Sequence, residues 1–253
     1  MNTDKSFQQM TALVTGASSG IGAVTAVAFA QRGANVIVHY NSRQSAAEQI
    51  VGRIRTYGVE GEAVRADLST ASGWRNLAAF AADRQIDILV NNAGSLLART
   101  RVLDFTEDLW ERVMMLNFTS SFFLAQAVLR GMVARKRGYI VNVSSVAARF
   151  GGGLGALAYA SAKAAVSAMT KGLAKEFAPQ GIRVNCVSPG TIDTAFHKTF
   201  STPDVLESVR SATPAGRIGT AEEIADVIVF LCSDQASFIH GQVIEINGGF
   251  FMA

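Results

Sequence analysis

Cysteine and histidine are scarce in this chain of 253 residues. The two cysteines, Cys186 and Cys232, stand far apart, and neither belongs to a Cys-x-x-Cys pair or to a cluster with histidine. This pattern is typical of reduced thiols in a cytoplasmic protein. The three histidines are scattered without the spacing of metal ligands, so the sequence predicts no metal site.

Charge is also sparse, since charged residues make up 17% of the chain and the formal net charge is only +3. No basic run with interleaved aromatic residues occurs, so we expect no nucleic-acid partner. There is no run of 18 apolar residues, and residues 1–10 are polar, so we expect neither a membrane span nor a secretory leader. Nearly half of the residues are hydrophobic, which suits a large α/β domain with a buried sheet.

Short apolar runs alternate with helical patterns along the chain. Continuous apolar strands linked by helices predict a parallel sheet that is covered on both faces. We therefore expect a single α/β domain over residues 1–253, with a Rossmann fold and a doubly wound parallel sheet of about seven strands. The predicted strands are 11–15, 36–38, 62–65, 86–90, 139–143, 183–187 and 242–246.

The residues that can carry chemistry follow the predicted strands, where a sheet of this kind binds its ligands. The turn Gly16-x3-Gly20-x-Gly22 begins the first helix, so its backbone amides can approach a pyrophosphate closely. A tight turn without a ligand is the alternative explanation of these glycines. The turn contains no Gly-Lys-Ser/Thr, which disfavours a nucleoside-triphosphate loop.

Tyr159 and Lys163 are four residues apart on a predicted helix, which places both side chains on one face. A neighbouring ammonium lowers the pKa of a phenol, so Tyr159 could exchange a proton with a carbonyl or an alcohol near neutral pH. Taken alone, the same spacing is more often an amphipathic helix with a solvated lysine. Two serines, Ser144 and Ser145, follow the fifth predicted strand and compete for one role beside the tyrosine.

These motifs, taken in order, carry a family resemblance. The series is Thr15-Gly-x3-Gly-Ile-Gly22, Asp67-Leu68, Asn91-Asn-Ala-Gly94, Asn117, Ser145, Tyr159-x3-Lys163 and Pro189-Gly190. It resembles the short-chain dehydrogenase/reductase family from about Thr11 to Gly249. The segment Pro214-Ala-Gly-Arg217-Ile-Gly and the helix predicted from Ala221 resemble the 3-oxoacyl-[acyl-carrier-protein] reductase-like branch.

The resemblance implies a role for each matching residue. Tyr159 is expected to be the general acid in reduction, and Lys163 to lower its pKa and to hold the nicotinamide ribose. Ser145 is expected to bind the substrate carbonyl, with Ser144 supporting the turn. Asn117 is expected to anchor a water that links Lys163 to solvent. The cofactor is expected to contact Gly16, Ser18, Ser19, Gly20, Ile21, Gly22, Asn41, Ser42, Arg43, Asp67, Leu68, Asn91, Ala93, Gly94, Tyr159, Lys163, Pro189, Gly190, Ile192 and Thr194.

The choice of cofactor can be argued from the end of the second strand, which reads His39-Tyr40-Asn41-Ser42-Arg43 and contains no carboxylate. A site for NAD places an acidic residue here, about 20 residues past the glycines. Ser42 and Arg43 could instead hold the 2′-phosphate of NADP through charge-assisted hydrogen bonds. A solvated surface arginine is the alternative reading of Arg43. The sequence favours NADP(H) and leaves NAD(H) possible.

Residues 191–215 are rich in Thr, Ser and Pro, and we interpret them as a mobile substrate lid. Phe196 and Phe200 within this segment favour a partly apolar substrate. We expect an NADP(H)-dependent oxidoreductase of the 3-oxoacyl type that interconverts a ketone and a secondary alcohol. The alternative is a dehydrogenase of a polyol, sugar or other small alcohol.

A remote alternative is a nucleotide-sensing protein without catalysis, which would be expected to lack Tyr159 or Lys163, and both are present. The helix that carries Phe122 and Phe123 commonly builds the subunit interface in the family. The resemblance therefore implies a homotetramer or a homodimer.

Overall fold

Seven parallel strands form one sheet in the computed structural model, which describes residues 6–252. Residues 1–5, half of the polar stretch predicted to contain no leader, lie outside the described residues, as does residue 253. The strand order is β3-β2-β1-β4-β5-β6-β7. The strands are β1 (Thr11–Val14), β2 (Asn35–Tyr40), β3 (Gly61–Arg65), β4 (Ile88–Asn91), β5 (Gly138–Val143), β6 (Ile182–Pro189) and β7 (Val243–Ile246).

The prediction of a single doubly wound Rossmann-type domain is confirmed, and every predicted strand lies within two residues of its observed bounds. Helices cover both faces of the sheet. They are α1 (Gly20–Gln31), α2 (Gln44–Arg55), α3 (Ala71–Ala82), α4 (Glu107–Met114), α5 (Ser120–Arg135), α6 (Ala147–Phe150), α7 (Leu157–Phe177), α8 (Ala195–Phe200), α9 (Pro203–Ala212) and α10 (Ala221–Cys232).

Adjacent strand residues divide the core into two layers, because successive side chains of a strand point to opposite faces. Val14 and Ile88 belong to the layer that contains the buried faces of α1, α2 and α10. Leu13 and Leu89 belong to the layer that contains the buried faces of α3 and α5. The sheet is therefore buried on both sides, as its continuous apolar strands predict.

The helical stretch 107–135 joins α4 to α5 through a π-helical turn at Met115–Thr119. By length and composition alone this stretch could cross a membrane, and 44% of its apolar window is buried inside the fold. It packs against α3 and α7, and a core helix of a soluble protein passes the same test.

The segment 191–215, interpreted from the sequence as a mobile lid, contains two helices that the sequence analysis did not predict. Thr202 caps α9, since its Oγ1 accepts a hydrogen bond from Val205 N at 3.4 Å. Pro203 occupies the first helical position, where its missing N–H is harmless.

Candidate active site

The carboxyl ends of the strands surround a cavity of about 660 Å³. The cavity lies beside the point between β1 and β4 where the strand order reverses, which is where open α/β sheets bind ligands. Most of the predicted site residues line it. They are Gly16, Ser18, Ser19, Gly20, Ile21, Asn41, Ser42, Arg43, Asp67, Leu68, Ala93, Gly94, Ser145, Tyr159, Lys163, Pro189, Gly190, Ile192 and Thr194.

The glycine turn is shaped by contacts that leave little room for side chains. Gly16 and Gly20 have φ angles of +64° and +55°, which glycine adopts without strain. A Cβ on Gly22 would lie 2.5 Å from Asn92 Nδ2 and 2.6 Å from the Gly16 carbonyl oxygen, so Gly22 packs behind the cavity wall. Ser19, the N-cap of α1, makes no side-chain capping bond. The first turn of α1 therefore offers amide donors that fit a pyrophosphate.

His39, a buried residue of β2, holds the glycine turn and was missed by sequence reasoning. Its Nδ1 accepts a hydrogen bond from Gly16 N at 3.0 Å, so its Nε2 carries the proton and donates to Ala66 O at 3.1 Å. Burial lowers the pKa of His39 to about 4, against the effects of the Ala66 bond and the Asp67 charge. A neutral His39 thus connects the ends of β1, β2 and β3. Its place at the carboxyl end of a strand is the signal that could have found it.

After β4, Asn92 lines the cavity and the predicted Asn91 does not. Asn91 is buried, and its Nδ2 donates to Ser121 O at 3.2 Å and to Asn142 Oδ1 at 2.9 Å. The Asn92 side chain instead donates to Thr15 O at 2.8 Å, beside the glycine turn. Asn91 faces away from the cavity because adjacent residues at a strand end point in opposite directions, and its contact with a cofactor stays a prediction.

Arg43 lies where the sequence predicts a site for a cofactor phosphate. It immediately precedes α2 and lines the cavity together with Asn41 and Ser42. After β3, Asp67 also lines the cavity, and its Oδ1 accepts hydrogen bonds from Ser69 N at 3.0 Å and Ser69 Oγ at 2.7 Å. The carboxylate of Asp67 is therefore held by its own turn, and the wall after β2 offers a cation and a hydroxyl.

Tyr159 and Lys163 lie together on α7, as their spacing predicts. Lys163 Nζ is 5.7 Å from the centre of the Tyr159 ring and donates to Val143 O at 2.7 Å. Burial raises the pKa of Tyr159 to about 12, opposed by the neighbouring Ser145 hydroxyl, and burial lowers the pKa of Lys163 to about 8. At this geometry the effect of burial dominates, because desolvation disfavours the phenolate, and the lowering of the Tyr159 pKa by Lys163 stays a prediction. Tyr159 therefore keeps its proton at neutral pH.

The two serines after β5 have different partners. Ser144 is buried; its Oγ donates to Lys163 O at 2.8 Å and lies 2.8 Å from Ser167 Oγ. Ser145 lies close enough to Tyr159 to lower the pKa of the phenol, and its Oγ accepts a hydrogen bond from Ala147 N at 3.1 Å. Ser144 thus fastens the end of β5 to α7, whereas Ser145 lies beside the phenol.

Asn117 lies behind the cavity wall, in the π-helical turn. Its Nδ2 donates to Ser95 O at 2.8 Å and to Val113 O at 2.9 Å, and its Oδ1 accepts from Ser95 N at 3.1 Å. A Cβ on Gly94 would lie 2.8 Å from Asn117 Oδ1 and 3.0 Å from Lys163 Nζ. Asn117, Gly94 and Lys163 are therefore brought together, and the water link between Asn117 and Lys163 stays a prediction.

One wall of the cavity is mainly apolar. The ring centre of Phe196, in α8, lies 5.7 Å from that of Tyr159 and 5.1 Å from that of Phe200. His197 also lines this wall; burial and the charge of Arg99 lower its pKa, opposed by Asp193. The wall can accommodate an apolar group next to the phenol. Its other apolar residues include Leu96, Leu97, Phe150, Val205, Leu206, Val209 and Phe250.

The stretch after β6 connects this apolar wall to the glycine turn. A Cβ on Gly20 would lie 3.2 Å from Thr194 Cγ2, and Thr194 Oγ1 donates to Ile192 O at 3.3 Å. The predicted cofactor residues from Pro189 to Thr194 therefore close the cavity from the side of β6. Within residues 6–252, no group of three or more His, Cys, Asp or Glu side chains could hold a metal ion.

Fold and site together define an oxidoreductase of the Rossmann type that binds a nicotinamide dinucleotide. A family model described as "Enoyl-(Acyl carrier protein) reductase" matches residues 16–251. The chain belongs to the short-chain dehydrogenase/reductase family, as its motifs predict.

Three similar proteins cover nearly all of the chain. The 3-oxoacyl-[acyl-carrier-protein] reductase FabG of Aquifex aeolicus is 38% identical, over 96% of this chain and 98% of its own. A crystal structure of a putative NAD(P)-dependent gluconate 5-dehydrogenase from Beutenbergia cavernae, with NADP bound at low occupancy, is 36% identical with a TM-score of 0.91, covering 98% of each chain. A 3-oxoacyl-[acyl-carrier protein] reductase from Brucella melitensis, with bound NAD, is 34% identical with a TM-score of 0.87, covering 99% of this chain and 94% of that one.

Proposed function

We propose that the protein is an NADP(H)-dependent carbonyl reductase of the 3-oxoacyl type, which interconverts a ketone and a secondary alcohol. One observation carries the proposal: Tyr159, with Ser145 and Lys163, lines the same cavity as the glycine turn and the apolar wall. A bound nicotinamide would supply the hydride in reduction and accept it in oxidation.

Tyr159 would be the general acid in reduction. With a pKa of about 12 the phenol is protonated at neutral pH and can donate to the carbonyl oxygen as negative charge develops there. The Ser145 hydroxyl would donate a second hydrogen bond to the same oxygen. In oxidation Tyr159 would accept the proton, and the Lys163 ammonium would stabilise the phenolate. Lys163 would also hold the ribose hydroxyls of the cofactor.

The apolar wall supports a ketone with an apolar substituent. Phe196 lies against Tyr159, so this substituent would be shielded from water next to the reacting carbon. Arg99, on the rim of the cavity, already donates to two backbone carbonyls, and the lowered pKa of His197 favours its neutral form. A sugar acid would need a cation for its carboxylate, and Arg112, which lines the cavity and lies 3.8 Å from Asp108, could supply one. That alternative is supported by the name of the gluconate 5-dehydrogenase neighbour.

A substrate panel separates the two candidates. Wild-type protein would be assayed with NADPH by cofactor absorbance against 3-oxoacyl thioesters, simple aliphatic ketones and 5-oxo sugar acids, and in reverse against sugar and polyol substrates. We expect the oxoacyl thioesters to give the highest kcat/KM. A preference for the sugar acids would overturn the 3-oxoacyl proposal and leave the oxidoreductase class intact. Binding of both cofactors without turnover of any substrate would favour the nucleotide-sensing alternative.

The cofactor preference rests on Arg43 and Ser42. A 2′-phosphate held by one arginine is a charge-assisted contact worth roughly 1.5–3 kcal/mol, so NADPH should bind roughly 10- to 100-fold more tightly than NADH. Fluorescence titration of both cofactors should show most of this difference lost in Arg43→Ala. Arg53→Ala, which removes an exposed arginine at the far end of the same helix, is the matched control. Equal affinities in the wild type would contradict the preference.

We also propose a homotetramer, or a homodimer, that works in the cytoplasm. The helices α4 and α5 carry the exposed aromatic residues Trp110 and Phe122, whose apolar surface a second copy could cover. Light scattering coupled to gel filtration measures the assembly, and a monomer at micromolar concentration would contradict it.

A further inference from the structure

The side chain of Arg99 joins two separate segments at the rim of the cavity. Its Nε donates to Phe200 O at 2.7 Å, and its Nη1 donates to Leu154 O at 2.8 Å. Phe200 is the last residue of α8, and Leu154 belongs to the glycine-rich loop that leads into α7. The two carbonyls are 46 positions apart in the chain, and the planar guanidinium bonds both at once.

The backbone next to Arg99 is itself fastened to this glycine-rich loop. Thr100 N donates to Gly155 O at 3.2 Å. Gly155 has a φ of +74°, and a Cβ there would lie 2.9 Å from Thr100 N and 3.2 Å from the Arg99 carbonyl carbon. The loop and the Arg99 segment therefore form one unit, and the Nε bond extends that unit to α8.

Through α8 this bond reaches the reacting group. Phe196 lies one turn before Phe200, and the two rings are 5.1 Å apart between centres. The Phe196 ring also lies 5.7 Å from that of Tyr159. A shift of the Phe200 carbonyl would therefore move the ring that forms the apolar wall beside the phenol.

We propose that Arg99 is a positioning residue, which holds α8 against the loop before α7 so that Phe196 closes the substrate side of Tyr159. This role rests on the proposed carbonyl reductase function. It concerns the substrate wall and not the cofactor site, because neither carbonyl that Arg99 bonds belongs to the glycine turn or to the end of β2.

Kinetics of Arg99→Ala test the role. The two lost charge-assisted bonds are exposed, so we expect kcat/KM for the ketone to fall roughly 3- to 30-fold, mainly through KM, with NADPH affinity unchanged. Arg99→Lys keeps the positive charge but lacks the planar fork of donors that spans both carbonyls, so it should be intermediate. Arg101→Ala, which removes an exposed arginine two residues away, is the matched control and should behave as the wild type.

Limited proteolysis supplies a readout that needs no turnover. Chymotrypsin can cleave after Phe196 and Phe200, and we expect Arg99→Ala to be cut there several-fold faster than the wild type or Arg101→Ala. Wild-type KM together with a wild-type cleavage rate would overturn the proposal, and so would an equal loss of NADPH affinity, which would indicate a general structural role. If the wild type reduces no ketone, the proposed function fails, and the cleavage rates still decide whether Arg99 holds α8.

Discussion

The cavity has two walls that are built differently. The cofactor wall is the glycine turn from Gly16 to Gly22 with the strand ends around it, and the substrate wall is the apolar wall around Phe196. The cofactor wall is anchored by buried polar groups of the sheet: Thr15 and His39 are both nearly inaccessible, and the Gly22 position has no space for a methyl group. The substrate wall includes Phe150, which is 51% exposed. At its rim the exposed Arg99 donates hydrogen bonds to the backbone of two separate segments. Binding a common cofactor requires a fixed backbone, whereas loops on a rigid scaffold can change without disturbing it. Substrate preference can therefore vary while the cofactor site is retained.

The largest expected effect is a fall in the reaction rate, in a variant that leaves both walls of the cavity intact. Tyr159→Phe keeps the ring against Phe196 but removes the proton donor, so the rate should fall roughly 10²–10⁴-fold. NADPH affinity, measured by fluorescence titration, should stay close to that of the wild type. Tyr57→Phe changes an exposed tyrosine and is the matched control. Near-wild-type turnover in Tyr159→Phe would exclude it as the general acid.

Two adjacent serines allow catalysis and stability to be tested separately at the end of β5. Ser145→Ala removes a donor to the developing oxyanion and should lower kcat roughly 10²- to 10³-fold, and it also removes the acceptor of the hydrogen bond from Ala147 N at 3.1 Å. Ser144→Ala removes the buried hydrogen bonds of its Oγ with Lys163 O and Ser167 Oγ, both in α7, and should lower the free energy of unfolding by about 1 kcal/mol with a much smaller loss of kcat. Urea denaturation and steady-state kinetics measure both variants. The reverse order would exchange the roles assigned to the serines.

A glycine substitution tests the rigidity of the cofactor wall. In Gly22→Ala the new Cβ would meet the Gly16 carbonyl oxygen and Asn92, and the turn must shift. Overpacking of this size amounts to roughly 1–3 kcal/mol, so NADPH affinity should fall about 10- to 100-fold. Gly52→Ala, in α2, meets nothing within 4 Å and is the control. Wild-type affinity in Gly22→Ala would show that the turn adapts as readily as the substrate wall.

The last expected effect is a pH dependence of stability through His39. Its pKa in the folded protein is about 4, below the ordinary 6.5, so between these values the unfolded chain binds a proton that the folded one does not. Stability should therefore rise with pH across this window, by at most about 1.4 kcal/mol per unit from this group. Denaturation of wild type and His39→Gln from pH 4.5 to 7.5 measures the difference. Identical slopes would mean that His39 is not held neutral in the folded protein.

The strands and the glycine turn could be predicted because their signals are local. Apolar runs of four to eight residues and a cluster of glycines carry the same information in any protein of this class. The helix α9 also had a local signal, the pair Thr202-Pro203. It was missed because the segment 191–215 was interpreted from its composition alone. His39 and Arg99 could not be found in this way. Their partners are Gly16, Ala66, Leu154 and Phe200, and only the folded chain brings them near.

The sequence by itself determined the seven strands in chain order, the site at the carboxyl edge of the sheet and the pairing of Tyr159 with Lys163, since each follows from periodicity and spacing. Tertiary structure decided which asparagine faces the cavity and that burial raises the pKa of Tyr159, whereas Ser145 was already expected from the family resemblance. Direction at a strand end and desolvation depend on what packs around a group. Those neighbours come from distant parts of the chain, so no local pattern contains them.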